Sequence, residues 1–399
     1  MSMLTRTGKT WDVVIVGSGP AGAATAITLA KLGQRVLLLE KLASSDWKLG
    51  ESLPPSSIGL AKHFLTDVDH PKQQLPGLYS TAGNISLWAN ERADIADFFF
   101  TFAGHGLCID RLQFDEALRA NAIASGATLL RRAKFQSCER ITDGFFNWLI
   151  RFITDKGVQK IHARYLVDCS GRQAAVARAL GVSPLHNNDQ LFAYAQWFSC
   201  PDHDDDRYTR IEAAPDGWWY SNRLPDTENR KGWRLVVFHS DKDLPAARQA
   251  ASLQGFNNLL GSSTHIAPLL ATKAYQSLGV IRGAPAHSQR LQEFCGDAWM
   301  AVGDSAQAYD PLSSQGIDKA LKTACHAGHM VHYALTDYQR GAEPLDKRNY
   351  YIAQYDEQLQ QLWAEYMSQR DFYYNIQPRW TDNLFWQRRR QNEKLLRSY

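Results

Sequence analysis

Asp12-Val13-Val14-Ile15-Val16-Gly17-Ser18-Gly19-Pro20-Ala21-Gly22 runs an apolar strand straight into a glycine turn. An apolar helix follows, then a second strand, Arg35-Val36-Leu37-Leu38-Leu39, which ends on Glu40. Strand, G-x-G-x-x-G, helix, strand and acid, with the acid about 20 residues beyond the glycines, make up the fingerprint of a dinucleotide-binding unit. Each part has a physical task. Gly17 permits the tight turn, Gly19 lets backbone amides approach a pyrophosphate, and Gly22 lets the helix pack on the sheet. Pro20 and Ala21 open the helix, whose dipole and free N–H groups favour phosphate charge. Glu40 can accept hydrogen bonds from a ribose diol, and Lys41 beside it joins the expected cofactor-binding set.

The rest of the composition narrows the class. A chain of 399 residues with 44% hydrophobic and 21% charged residues suits a soluble enzyme of two intertwined domains. A net charge of +3 leaves no dominant basic footprint, so no nucleic-acid partner is expected. Twelve tryptophans suggest aromatic surfaces for an aromatic ligand, beside their use as core filler. The six cysteines are scattered and form no C-x-x-C, as expected of free thiols in a reducing cytoplasm. Val13 to Ala30 is uncharged and superficially resembles a secretory signal, but Gly17, Gly19 and Pro20 break any helix through it. Neither a signal peptide nor a membrane span is expected. His326, His329 and His332 lack accompanying carboxylates at ligand spacing, and no metal site is expected.

The pattern predicts an α/β fold: a Rossmann-like domain built from 10–70, 106–185 and 286–340, interleaved with a substrate-side antiparallel sheet from 71–105 and 186–285. Residues 341–399 form a C-terminal helical region. Strands are expected at Leu191 to Phe198, Tyr208 to Ala213, Gly217 to Ser221 and Trp233 to His239, within a strand-rich block reaching Ile281. Helices are expected over Pro311 to Leu335 and Asp346 to Met367.

Two later segments carry chemistry. Asp304, after Gly303 at the end of the late strand Ala298 to Val302, suits the hydroxyls of a ribityl chain. Asp310-Pro311-Leu312-Ser313-Ser314-Gln315-Gly316-Ile317 opens a helix whose positive end would stabilise negative charge on the pyrimidine edge of a reduced flavin. Together with the glycine turn, these segments resemble the FAD-dependent monooxygenase and halogenase superfamily, which has the p-hydroxybenzoate-hydroxylase-like fold. Gly50-Glu51-Ser52-Leu53-Pro54-Pro55 resembles its halogenase branch, which implies that Glu51 and Ser52 lie near the flavin. The same resemblance implies that Arg111, in Asp110-Arg111, sits near the pyrophosphate. It also places Asp168 and Gly171, of Asp168-Cys169-Ser170-Gly171-Arg172, in the cofactor set with Asp304, Pro311, Ser313, Ser314, Gln315, Gly316 and Ile317. FAD with O2 as co-substrate is what the resemblance implies. Gly104-His105-Gly106 lacks a third glycine, so the flavin is reduced either by transiently bound NAD(P)H or by a separate reductase partner.

Two departures bear on the reaction. The halogenases carry a lysine a few tens of residues after the Gly-Glu segment, whereas no lysine occurs from Gln73 to Ala133. Their W-x-W-x-I-P motif is replaced by Asp216-Gly217-Trp218-Trp219-Tyr220-Ser221-Asn222-Arg223-Leu224-Pro225. That altered segment, the stretch Asp110-Arg111 to Phe114-Asp115 and the Asp310 to Gly316 turn together resemble the flavoprotein monooxygenases of cysteine tryptophylquinone biogenesis. The implied reaction is hydroxylation of an indole, a tryptophan of a partner quinoprotein subunit, through a flavin C4a-hydroperoxide. The alternative is a halogenase or hydroxylase of a small aromatic molecule. Trp218, Trp219 and Tyr220 are expected to line an aromatic pocket, although strand alternation turns at least one of them away. Glu51 is the first candidate base or proton relay, with a loop carboxylate bonded to amides as the competing reading. His105 and Asp310 are candidates of the same kind. The tail from Arg379-Trp380 to Arg388-Arg389-Arg390 reads as an architectural helix, with docking of an acidic partner as a second expectation.

Overall fold

The computed structural model describes residues 10–44, 47–65, 78–100, 104–141, 147–186, 189–200, 204–228, 230–339 and 344–390. The expected tail beyond Arg390 and the stretch 66–77 lie outside them. Five parallel strands make the first sheet, in the order Trp299–Ala301, Gly157–Asp168, Thr10–Val16, Val36–Glu40 and Thr128–Arg131. Both faces of such a sheet are covered, which is why Val13, Val14 and Ile15 form an unbroken apolar run with no exposed surface. An antiparallel extension, Lys134–Arg140 and Trp148–Thr154, continues from the long strand Gly157–Asp168.

The glycine turn is locked by close approach. Gly17 has a φ of +99°, and a Cβ there would fall 2.3 Å from the Cys169 carbonyl oxygen. At Gly22 it would fall 2.0 Å from the carbonyl oxygen of Gly17. Only glycine fits either position. The helix that follows, Pro20–Lys31, packs on the long helix Gly316–Gln339. Gly328 of the second helix has no room for a side chain above Thr28 of the first.

The second sheet has seven strands, with Leu191–Ser199, Trp233–Asp241, Gly217–Arg223 and Tyr208–Ala214 at its centre. It is antiparallel except where Gly83–Leu87 runs parallel to Tyr208–Ala214. The expected strand-rich block is interrupted: Pro245–Ala250, Leu253–Leu260 and Ile266–Thr272 are helices. Pro245 occupies the first turn of one, and Ser252 caps the next by accepting from Gly255 N at 3.1 Å. Their Ala247, Phe256, Ile266 and Leu270 cover one face of the sheet. The opposite face packs with Tyr374, Phe385 and Trp386 of the C-terminal helices Pro344–Asn375 and Leu384–Arg390.

Those last helices are held from within. Arg389, 2% exposed, pairs with Asp241 at 2.7 Å and Asp189 at 3.1 Å, and Arg388 pairs with Asp241 and Asp243. Two of the three arginines on which docking of an acidic partner is expected, Arg388 and Arg389, are thus paired with carboxylates of this chain. The six cysteines are free thiols, and no helix among the described residues is long and apolar enough to cross a membrane.

Candidate active site

A cavity of about 530 Å³ opens where the two sheets meet. One side is built from Gly19, Pro20 and Ala21 of the glycine turn, Gly171 and Arg172, Asp304, and Ser314, Gly316 and Ile317 at the head of the long helix. The other is the face of the second sheet, with Ala193, Trp218, Tyr220, Leu235, Val237 and His239. Leu49, Gly50, Glu51, Ser52 and Arg111 close the edge between them.

The first side fits FAD on its own geometry. Gly19 and Gly316 line the cavity, and a Cβ at either would meet nothing within 4 Å, so both helix starts are open to a ligand. The hydroxyl of Ser313, beside the lining residue Ser314, is buried with no hydrogen-bond partner among the described residues. Asp304 keeps 41% of its side chain open while Lys319 Nζ holds one of its oxygens at 2.7 Å. Burial would raise the Asp304 pKa, but Lys319, followed by Arg172, holds it below the usual carboxylate range. An ionised carboxylate directed at the cavity suits the ribityl hydroxyls. Glu40 is bonded by Ser18 Oγ at 2.7 Å and by the amides of Ser18 and Leu42. Burial opposes its ionisation, and those hydrogen bonds outweigh it.

Other expected cofactor residues act through the backbone. Gly17 and Gly22 shape the turn without lining the cavity. Asp168 is corrected from a cofactor contact to a capping residue. Its oxygens accept from Ser170 and from the amides of Val176 and Ala177 at 2.8 and 3.0 Å, which fixes the turn carrying Gly171 and Arg172. Lys41 bonds Gln173 at the surface, and Gln315 bonds Gln369, both away from the cavity. Pro311 lines it. Arg111 donates to the Leu49 carbonyl and to Asp115, which also pairs with Lys48 at 2.6 Å. Desolvation works against the Asp115 charge, but Arg111 and Lys48 together keep its pKa below the usual carboxylate range. Lys48 and Trp47, immediately before the recognised Gly-Glu segment, were missed by sequence reasoning although their adjacency was a signal.

Among the catalytic candidates, Glu51 is 4% exposed and accepts from Tyr220 Oη at 2.5 Å and from Gly50 N at 3.1 Å. Burial pushes its pKa up despite these bonds. Tyr220 is linked onward to Asn222, which also contacts Tyr79 and Cys108. Asp310 lines the cavity and is bonded on both sides: it caps Leu312 N at 2.8 Å and accepts from Tyr374 Oη at 2.6 Å. His105 is exposed and does not line the cavity. Alternation along Gly217–Arg223 sends Trp218 and Tyr220 to the cavity. Trp219 goes to the opposite face, against Phe238 and Phe256. His239, also missed, shares a face with Leu235 and Val237, and a polar ring in that alternating series was its signal.

The comparisons with known proteins agree with this geometry. The tryptophan halogenase family profile matches residues 81–397, and a pyridine nucleotide-disulphide oxidoreductase profile matches residues 11–98. The chain is 30% identical over 387 residues to a putative FAD-dependent oxidoreductase, LodB, of Marinomonas mediterranea, covering 96% of this chain and 97% of that one. In fold it is similar to the flavin-dependent halogenase CmlS, with a TM-score of 0.80 at 20% identity over 98% of this chain and 70% of that one. It is similar also to the peptidyl tryptophan dihydroxylase QhpG, with a TM-score of 0.67 at 22% identity over 96% of this chain and 79% of that one. A flavin cradle on one sheet, an aromatic wall on the other and a family match across most of the length lead to one conclusion: the chain belongs to the tryptophan halogenase family of FAD-dependent oxidoreductases.

Proposed function

We propose that the protein is an FAD-dependent monooxygenase that hydroxylates an indole, a tryptophan side chain of a partner polypeptide. The observation that carries this reading is the state of Lys48. Among the described residues it is the one lysine lining the cavity, and its ammonium is neutralised at 2.6 Å by the buried carboxylate of Asp115. A halogenating site needs a free ammonium to capture oxidised halide, and this one is tied down. QhpG, a peptidyl tryptophan dihydroxylase of similar fold, supports a protein-borne substrate. Bound FAD, once reduced by NAD(P)H or a reductase, supplies electrophilic oxygen from O2; one oxygen atom enters the ring and the other leaves as water.

The chain's own residues have separable tasks in this reading. Gly19, Ser314 and Gly316 bind the cofactor through backbone amides, and Asp304 orients its ribityl chain. Trp218, Val237 and Leu235 form an apolar wall that excludes water and holds a flat ring. Glu51, with its pKa raised by burial, can hold a proton at Oε1 or Oε2 and pass it along the Tyr220 hydroxyl. The test uses FAD-loaded enzyme, a flavin reductase with NADH, O2 and a tryptophan-containing peptide, with and without bromide. Mass spectrometry is expected to find one or two added oxygen atoms regardless of bromide. Bromide-dependent brominated product would overturn the reading in favour of a halogenase, and turnover confined to free indole would exclude the protein substrate.

A further inference from the structure

The sheet face that forms the aromatic wall continues beyond the flavin cradle. A second cavity of about 410 Å³ lies against it, and Trp47, Lys48, Glu51, Arg111 and Leu235 border both cavities. Four strands of the wall pass from one to the other. Ala193 borders the first and Trp197 the second, Val237 the first and Trp233 the second, Tyr220 the first and Leu224 the second. On the edge strand Gln276–Pro285, Ala284 borders the first, while Val280 and Arg282 border the second. Register keeps these positions on one face: Trp197 pairs with Leu235, Tyr220 with Val237, and Ala193 with Ala284. The cavities are two stations of one trough along the strands. Val237 and Trp233 are four positions apart, about 13 Å of strand, which an extended polypeptide in the trough covers in about four residues.

The outer station has its own chemistry. Trp47 and Trp197 meet edge to face with centroids 6.1 Å apart, and the Arg230 guanidinium lies 5.7 Å over the Trp233 ring. Val280 and Arg282 are exposed, so this station is reached from solvent. Lys48, Arg111, Arg230 and Arg282 border it, against Asp110 and Glu51. Asp110 pairs with Arg230, and one carboxylate, Asp115, is shared by Lys48 and Arg111. Burial disfavours the charge of Glu51. Cations therefore outnumber anions, and the surplus selects an acidic side chain, which an aromatic floor by itself does not.

We propose that this outer station is a docking subsite for the polypeptide that carries the target tryptophan, and that it takes an acidic side chain about four residues from that tryptophan. The inference rests on the protein-substrate reading, but binding is measured without turnover. FAD-loaded enzyme is titrated by calorimetry with short glycine-serine peptides that carry one tryptophan. Glutamate stands four positions before it in one peptide and four after it in another, since the trough is open to either chain direction. Matched peptides carry glutamine or lysine at those positions. One glutamate peptide is expected to bind about tenfold more tightly than its glutamine counterpart, with lysine weaker still. Arg282→Glu, at an exposed edge-strand position, reverses a charge and is expected to abolish the preference.

Equal affinity for the glutamate, glutamine and lysine peptides overturns the proposal even if the variant fails to fold. A glutamate preference of the same size in Arg282→Glu overturns it as well. The reading beneath it fails separately. Brominated peptide with the glutamate preference intact leaves the subsite standing on a halogenase, whereas binding of free indole and of no peptide overturns both.

Discussion

At the scale of single residues, the cavity contains groups whose ionisation the fold itself controls. Burial in the apolar wall pushes the His239 pKa down to about 3, with the Trp218 backbone opposing only in part. The unfolded chain holds this imidazole near its ordinary value of about 6.5. Between those values the unfolded state binds the extra proton, so stability is lost as pH falls, on the order of 1 kcal/mol per pH unit. Wild-type protein is therefore expected to lose more unfolding free energy than His239→Phe between about pH 7 and about pH 5. Urea denaturation at the two pH values measures it, and parallel losses would refute the burial argument. Glu51 has the opposite sign, because its raised pKa makes the folded state the better proton binder as pH rises through the ordinary carboxylate range. Legibility was uneven at this scale. Glu51, Arg111 and Asp304 were readable because motif spacing places them. His239 was not, because its role depends on which face of a strand meets which cavity.

Among elements, the C-terminal helices act as splints. Tyr366 accepts from Asp310 N at 2.8 Å and Tyr374 donates to the Asp310 carboxylate, so the helix Pro344–Asn375 braces the turn that begins the flavin-side helix. Leu384–Arg390 is fastened by Arg389 between Asp241 and Asp189, and Asp189 in turn meets Arg370. Burial works against the Asp189 charge, and the attraction of Arg389 and Arg370 holds its pKa below the usual carboxylate range. Removing one member strands the others. Arg389→Ala is expected to destabilise the protein by about 3–5 kcal/mol, read from its denaturant midpoint. A change within error would mean that the cluster is water-screened and the helix is held by Phe385 and Trp386 alone. The three short helices at 245–272 belong here too. Proline and serine starts were visible in their sequence, but the surrounding strand periodicity dominated the reading.

Over the whole molecule, the cavity exists only where the two sheets meet, so cofactor binding and folding are linked. FAD at about a hundred times its dissociation constant is expected to raise unfolding free energy by about 2.7 kcal/mol. Gly19→Val separates the two effects. Its φ of −69° is open to any residue and a Cβ there meets nothing, so the cofactor-free variant should keep its stability while losing the FAD-dependent gain. Thermal denaturation with and without FAD reads both. A full gain in the variant would remove the pyrophosphate from this turn. The glycine turn, the acid after the second strand and the helix start at Gly316 were determined by sequence alone, because local backbone sterics and helix-end electrostatics act over a few residues. Tertiary structure alone decided that Asp168 caps a helix, that Trp219 packs behind the sheet, and that Arg388 and Arg389 are spent internally. It also decided that His239 lines the cavity while its ring stacks on Trp218. Each of those depends on what lies opposite in space, and no periodicity along the chain encodes the far side of a contact.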